Sequence, residues 1–338
     1  MPEGHYTNIR CRHCGGHYVD SDVTEAYLDE LQATPIPENK DRTTYEEDAA
    51  RDALRTAELA ENWEMIKRVR PPSPGDRLLD YGSAWGAFGS VARNDGVIPN
   101  GIELQAEGAA FSRESWGAPS QVHQGPIETA PWPDGSFHYV CSFETLEHVF
   151  DPIRILSHMT RLVRADGVVA ISVPSAHYFA FKFWFYRQSP LRGFMFRRFP
   201  GHMTWRVLCH NHITTPSPTS ARLMMEKAGL RVVHVEPYCS GLSGGGVGKL
   251  LRVAGKVIWW LSGKRIVFAP SIFLVAVKRQ APSDRNREPA CPGRAPEMMG
   301  RERTEEARPR GLGPFSVPPS SPPPERPSRG VAREIARP

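Results

Sequence analysis

The 338-residue sequence has only six cysteines, scattered without regular spacing along its length. Such sparse usage excludes a disulfide-framed secreted scaffold. No amino-terminal stretch joins a basic start to an apolar core, so no secretory signal is read there. Long apolar runs are missing too. The most apolar region, 247–277, is broken by Lys249, Arg252, Lys256, Lys264 and Arg265, and it falls short of the roughly 18 uninterrupted apolar residues of a membrane span. A cytoplasmic, reducing location is expected. The main body has little net charge: of a formal net charge of +5, a net +3 resides in residues 281–338, where 11 arginines face 8 acidic residues. These alternate instead of forming a basic block, so no nucleic-acid partner is expected. The same stretch holds 13 prolines and almost no apolar periodicity. It cannot bury enough surface to offset the entropy of ordering it, and a disordered tail is expected.

What the chain does have is "RLLDYGSAWGAFGSVARNDGVIPNGIEL", from Arg77 to Leu104. Leu78 and Leu79 read as a buried strand with Asp80 at its carboxyl end. Gly82, Ala84 and Gly86 then form a turn with almost no side chain, against which a ligand can lie. A second strand ends on Glu103, near the roughly 20-residue offset at which an acid accepts hydrogen bonds from a ribose. A dinucleotide-dependent dehydrogenase would want G-x-G-x-x-G facing a pyrophosphate, but Ala87 stands at the last glycine position and Gly89 comes two residues late. The looser loop suits a nucleoside ligand without a pyrophosphate. A turn and helix with no ligand is the plainer alternative.

Upstream, "TTYEEDAARDALRTAELAENWEMIKRVR" carries Thr44 and Glu47 at capping-box spacing. Leu54, Ala57, Trp63 and Ile66 lie near one face of the ensuing helix, which Pro71 and Pro72 stop. Downstream, strands are predicted at 97–102, 137–142, 167–173, 230–235 and 271–277. They alternate with helical stretches, which means an α/β fold with a parallel-dominated sheet and helices on both faces.

The order of these segments with "PWPDGSFHYVCSFETLEHVFDP" and "LSHMTRLVRADGVVAISVPS" resembles, over residues 77–278, the class I S-adenosylmethionine-dependent methyltransferases. Among these the chain looks most like the branch holding ubiquinone-type O-methyltransferases and many small-molecule and glycan methyltransferases. The resemblance implies a Rossmann-like, doubly wound seven-stranded sheet closed by an antiparallel strand. It implies S-adenosylmethionine as co-substrate, held by Asp80, Gly82, Ala84, Gly86 and Glu103, with adenine resting on Ile127 and backbone groups. Ala84 replaces the usual middle glycine, and Pro126-Ile127 stands where an acid often faces the adenine amino group. Those two departures favour the alternative of a non-catalytic ligand-binding or scaffolding protein with a weakened donor site.

Three further segments bear on an acceptor or a metal. In "ETLEH", Glu144, Glu147 and His148 are spaced to share one helical face at the carboxyl edge of the sheet, where an imidazole can take a hydroxyl proton; capping or anchoring is the plain alternative. In relatives this pattern implies a possible divalent cation near the acceptor. His210 and His212 precede a helix capped by Ser217 or Thr219 and ended by Gly229, and the resemblance assigns His212 to the acceptor side. The aromatic and basic stretch 178–205, within an acceptor-site insert at 175–218, reads as a roof for a small-molecule or lipid-linked acceptor, as a peripheral membrane contact, or as a lid packed on the core. At the amino terminus Cys11 and Cys14 form a C-x-x-C knuckle suited to half of a zinc site. It resembles the second half of a zinc ribbon, implying a start inside a longer gene; a metal-free loop is equally compatible. The expected organisation is a partial ribbon over 1–40, a methyltransferase domain over 41–280 and the tail over 281–338.

Overall fold

The computed structural model describes residues 7–20, 53–188, 212–238 and 246–279. The Thr44–Glu47 cap, His210, most of 178–205 and the tail lie outside them. Seven strands form the main sheet: β3 (Arg77–Tyr81), β4 (Ile98–Glu103), β5 (Val122–Gln124), β6 (Phe137–Phe143), β7 (Val163–Pro174), β9 (Leu230–Tyr238) and β10 (Ser271–Lys278). Their spatial order is β5-β4-β3-β6-β7-β10-β9. β10 runs antiparallel to both its neighbours, and the β5-to-β7 ladder is parallel. The doubly wound α/β fold is therefore as the sequence predicts. All five predicted later strands form, with ends at or within a few residues of those predicted.

Central strands are buried on both sides, and successive side chains serve opposite faces. Leu78, Tyr139, Cys141, Phe273 and Val275 point to one core, shared with Leu59, Trp63 and Ile66 of α1 (Ala53–Val69) and Phe88 of α2 (Ala87–Arg93). Leu79, Val140, Ile272 and Leu274 point to the other, against Leu156 and Met159 of α4 (Pro152–Leu162) and Ala221 and Met225 of α6 (Pro218–Lys227). Between them, α3 (Ala106–Trp116) follows β4. Trp63 stands edge-on to Tyr139, with centroids 5.1 Å apart, and its indole donates to Asp95 at 2.7 Å. Ala57 is exposed where the sequence predicts a buried contact; Leu59 takes that place, because the buried stripe of α1 runs Leu59, Trp63, Ile66.

The caps are local and chemical. Asp151 accepts from the amides of Ile153 and Arg154, both at 3.0 Å, ahead of Pro152 at the first turn of α4. Ser217 accepts from the Ser220 amide at 3.1 Å, and Ser220 Oγ accepts from the Ser217 amide at 2.7 Å, a reciprocal box at the start of α6. Gly229, at φ +85°, ends that helix.

A second, three-stranded sheet was not foreseen. The hairpin β1 (Thr7–Arg10) and β2 (His17–Asp20) pairs antiparallel with β8 (Thr214–Thr215), two residues beyond His212. The Ser217 hydroxyl donates to the Cys14 carbonyl, which fastens the amino-terminal knuckle to the start of α6.

Candidate active site

The loop after β3 takes three left-handed residues: Gly82 at φ +79°, Ala84 at +45° and Gly86 at +82°. Glycine adopts this region freely, whereas alanine does so under strain. Asp80 is buried near the end of β3, in register with Gly101 of β4. Glu103 closes β4, and its carboxylate accepts from the Ala84 amide at 2.8 Å and the Gln105 amide at 2.9 Å. Burial pushes the Glu103 carboxyl up from its ordinary value, and those amide donors pull against the rise. From the other side Ser112 donates to the Ala84 carbonyl at 2.6 Å and the Trp116 indole to the Gly86 carbonyl at 2.8 Å. The loop is thus held between an acid and a helix. Ile127 lies on a short 3-10 turn and is completely buried in the core. Its side chain faces inward, so adenine stacking on it, as expected from the sequence, is not what this geometry offers; the backbone of 125–127 remains.

The "ETLEH" segment does not form the single helical face expected of it. Glu144 stands at φ +52°, and only Leu146–His148 turn, as a 3-10 helix. The next helix begins at Asp151 and Pro152, leaving too few residues for a regular turn. Glu144 is tied to β7: its amide donates to the Ser172 carbonyl at 3.1 Å and its carboxylate accepts from Ser172 Oγ at 2.9 Å. Glu147 and His148 gather instead with His212, whose neighbour Ile213 donates its amide to the Glu147 carbonyl at 2.7 Å.

The Glu147 side chain is fully buried, and its Oε1 lies 3.9 Å from His148 Nε2 and 3.8 Å from His212 Nε2. The two rings meet edge to face with centroids 4.8 Å apart. Desolvation, aided by repulsion from His148, pulls His212 down to about 3 despite the neighbouring carboxylate. His212 is therefore neutral at neutral pH. Among the described residues these three form the one group of three or more His, Cys, Asp or Glu ligand atoms close enough to share a cation, all within 4.8 Å. Cys11 and Cys14 gain no third ligand there. Two thiols fall short of a four-ligand structural zinc site, so a complete ribbon is not assembled by the described residues.

Thr145 carries no expectation from the sequence, yet it joins the two halves of the site. A Cβ built on Gly82 would lie 2.5 Å from Thr145 Oγ1, so the glycine loop and the "ETLEH" turn are in direct contact. No local signal marks such a long-range approach.

The family described as "Methyltransferase domain" matches residues 45–235. A demethylmenaquinone methyltransferase of Bacillus mycoides is 27% identical over 190 residues, 52% of this chain and 78% of that protein. One of Bacillus cereus is 29% identical over 190 residues, with the same coverage. Among solved structures, a chain from the complex between the Haloferax volcanii Trm112 methyltransferase activator and a methyltransferase is 18% identical, covering 72% of this chain and all of that one with a TM-score of 0.48. A SAM-dependent methyltransferase from Archaeoglobus fulgidus is 17% identical, covering 67% and 93%, with a TM-score of 0.44.

Proposed function

The chain belongs to the methyltransferase-domain family and is an S-adenosylmethionine-dependent methyltransferase, and we propose that it methylates the hydroxyl of a small-molecule acceptor, free or linked to lipid or glycan. The observation that carries this reading is the contact of Gly82 with Thr145. It sets a loop suited to the donor against a turn that presents Glu147 and His148, with His212 beside them.

In this reading Glu103 accepts hydrogen bonds from the ribose hydroxyls. Asp80 and the loop from Gly82 through Ala84 to Gly86 lie along the methionine and ribose portions. The backbone of residues 125–127, with the Ile127 side chain buried beneath it, borders the adenine side. The sulfonium is already a strong electrophile, so alignment is the main task. The acceptor oxygen forms a bond to the methyl carbon as the carbon–sulfur bond breaks, and the hydroxyl proton passes to His148. His212, held neutral, accepts or donates a hydrogen bond that orients the acceptor. Glu144, bonded to Ser172, fixes the turn from which the others project.

A second reading rests on the ligand atoms of Glu147, His148 and His212 lying within 4.8 Å of one another. A carboxylate and two imidazoles suit a divalent transition cation. Such an ion would polarise the acceptor oxygen; the chain's own part is to hold those three side chains on one side of the donor loop.

The test is release of S-adenosylhomocysteine from full-length protein given S-adenosylmethionine and a panel of phenols, catechols and quinols of increasing side-chain length. Turnover of at least one hydroxyl compound is expected. Retained donor binding with no turnover across this panel or across a matching panel of amines would favour the non-catalytic alternative.

A further inference from the structure

The helix α7 (Gly246–Leu261) is apolar on two opposite sides. Inward, Trp259 is buried in the core, and Gly255 lies so close to the Phe268 carbonyl that a Cβ there would sit 2.7 Å from it. Outward, Leu250, Val253, Val257, Trp260 and Leu261 fall within about 100° of one another at 100° per residue. Leu250 is 68% exposed, Trp260 73% and Leu261 70%. Helices that only pack on a sheet carry polar residues on that side. A stripe this continuous marks an interaction surface.

Its surroundings say what would cover it. From Gly246 to Phe268 the sequence has five basic residues and no acidic one. Arg252 and Lys256 are engaged by Glu61 and Glu236 at 2.6 and 2.7 Å. Lys264 and Arg265 stand exposed in the turn directly after the apolar stripe, followed by the exposed Ile266. The surface continues onto α5 (Ala176–Gln188): Phe268 meets Phe181 with ring centroids 4.7 Å apart, and Phe181 and Trp184 are exposed. Aliphatic residues with a tryptophan on one stripe and cations at its end are the pattern of a helix lying in a bilayer interface. At 16 residues, or about 24 Å, α7 is too short to span one, and no helix among the described residues is long and apolar enough to do so.

We infer that the outer face of α7, with the Lys264–Ile266 turn and the exposed aromatics of α5, docks the protein on a membrane surface that carries anionic lipids. The placement has a consequence. Ser271, which opens β10 just after this turn, pairs with Pro174 at the carboxyl end of β7, so the docking face reaches the edge of the sheet where Glu147, His148 and His212 gather. An acceptor dissolved in the bilayer would meet the site from that side. This last step rests on the proposed acceptor chemistry, whereas the docking itself does not.

The test is co-sedimentation of the full-length protein with phosphatidylcholine vesicles, with and without phosphatidylglycerol, scored without any methyl transfer. Binding to the anionic vesicles only is expected. Lys264→Glu with Arg265→Glu should weaken it about thirtyfold or more, since each cation near an anionic surface contributes roughly a factor of five to ten. Val257→Glu with Trp260→Glu should abolish it. Against the possibility that this last pair perturbs folding, Trp260→Phe serves as a mild second variant: bromolipid quenching of tryptophan fluorescence should be seen in the wild type and be markedly reduced in that variant. Absence of sedimentation, or sedimentation indifferent to these substitutions, would overturn the inference. So would a wild-type dimer in solution that the Val257 and Trp260 changes convert to monomer, because the face would then belong to a second copy.

Discussion

Gly82 and Thr145 are in contact across the carboxyl edge of the sheet: a Cβ on the glycine would fall 2.5 Å from Thr145 Oγ1 and 2.7 Å from Cγ2. The glycine also sits at φ +79°. Gly82→Ala therefore meets two obstacles, a left-handed backbone worth about 1–3 kcal/mol when strained and a clash that moves either the loop or the turn. Donor affinity should fall at least tenfold and the melting temperature should drop. Adding Thr145→Ala removes the two closest contacts but keeps a Cβ at 3.1 Å and the backbone cost, so it should restore part of the affinity. Calorimetry on the single and double variants checks the order.

Ala84 shares the left-handed region at φ +45° without being glycine. Ala84→Gly should relieve local strain while freeing the unfolded chain, two opposing effects of about 1 kcal/mol each. Stability should change by less than about 1 kcal/mol, with donor binding kept, as followed by chemical denaturation. A large loss would mean that the alanine methyl itself is needed in the site.

Glu103 receives the Ala84 and Gln105 amides, and in the proposed reading it also accepts from the ribose. Glu103→Ala should weaken donor binding by about 1.5–3 kcal/mol, the worth of a charged hydrogen bond, or roughly ten- to 150-fold. Glu103→Gln keeps one acceptor oxygen and should fall between. Measured dissociation constants that do not move would place the ribose elsewhere.

His148→Ala and Glu147→Gln bear on the acceptor side. If His148 takes the proton, His148→Ala should lower the transfer rate about 10²–10⁴-fold with donor affinity nearly unchanged. A chelator should leave the wild-type rate alone under general-base chemistry and abolish it if a cation is held by Glu147, His148 and His212. The Glu147 side chain is fully buried, so a melting curve must accompany Glu147→Gln.

Much of this arrangement was legible in the chain because it is local. Buried runs such as Leu78–Leu79 announce strands, Ser217 with Pro218 and Gly229 bracket α6, and Gly82, Ala84 and Gly86 mark a turn. Four features were not legible, for a shared reason. The pairing of β1–β2 with Thr214–Thr215, the contact of Gly82 with Thr145, the diversion of Glu144 to Ser172 and the burial of Ile127 all depend on residues far apart in sequence meeting in space. The spacing in "ETLEH" suggested a helix face, but the Asp151–Pro152 cap claims the chain too soon for one to form. Gathering Glu147 and His148 with His212 required knowing that the loop before α6 returns to the end of β6.

His212 also makes a prediction about acid. Its folded pKa lies near 3, against about 6.5 for an unfolded histidine. As pH falls below 6.5 the unfolded chain binds a proton that the folded protein refuses, so stability is complete above 6.5 and is lost progressively down to about 3. At pH 5 the loss is on the order of 2 kcal/mol, or several degrees of melting temperature for a domain of this size. Glu236, held down to about 2 by hydrogen bonds from His234 and Lys256, acts in the same direction but only below its unfolded value near 4.5. The two effects separate by window. Between pH 7 and pH 5, His212→Asn should flatten the decline in melting temperature relative to wild type, and Glu236→Gln should leave that decline unchanged. Equal slopes for wild type and His212→Asn across that range would show that His212 ionises freely, and the neutral role assigned to it beside His148 would fall with that result.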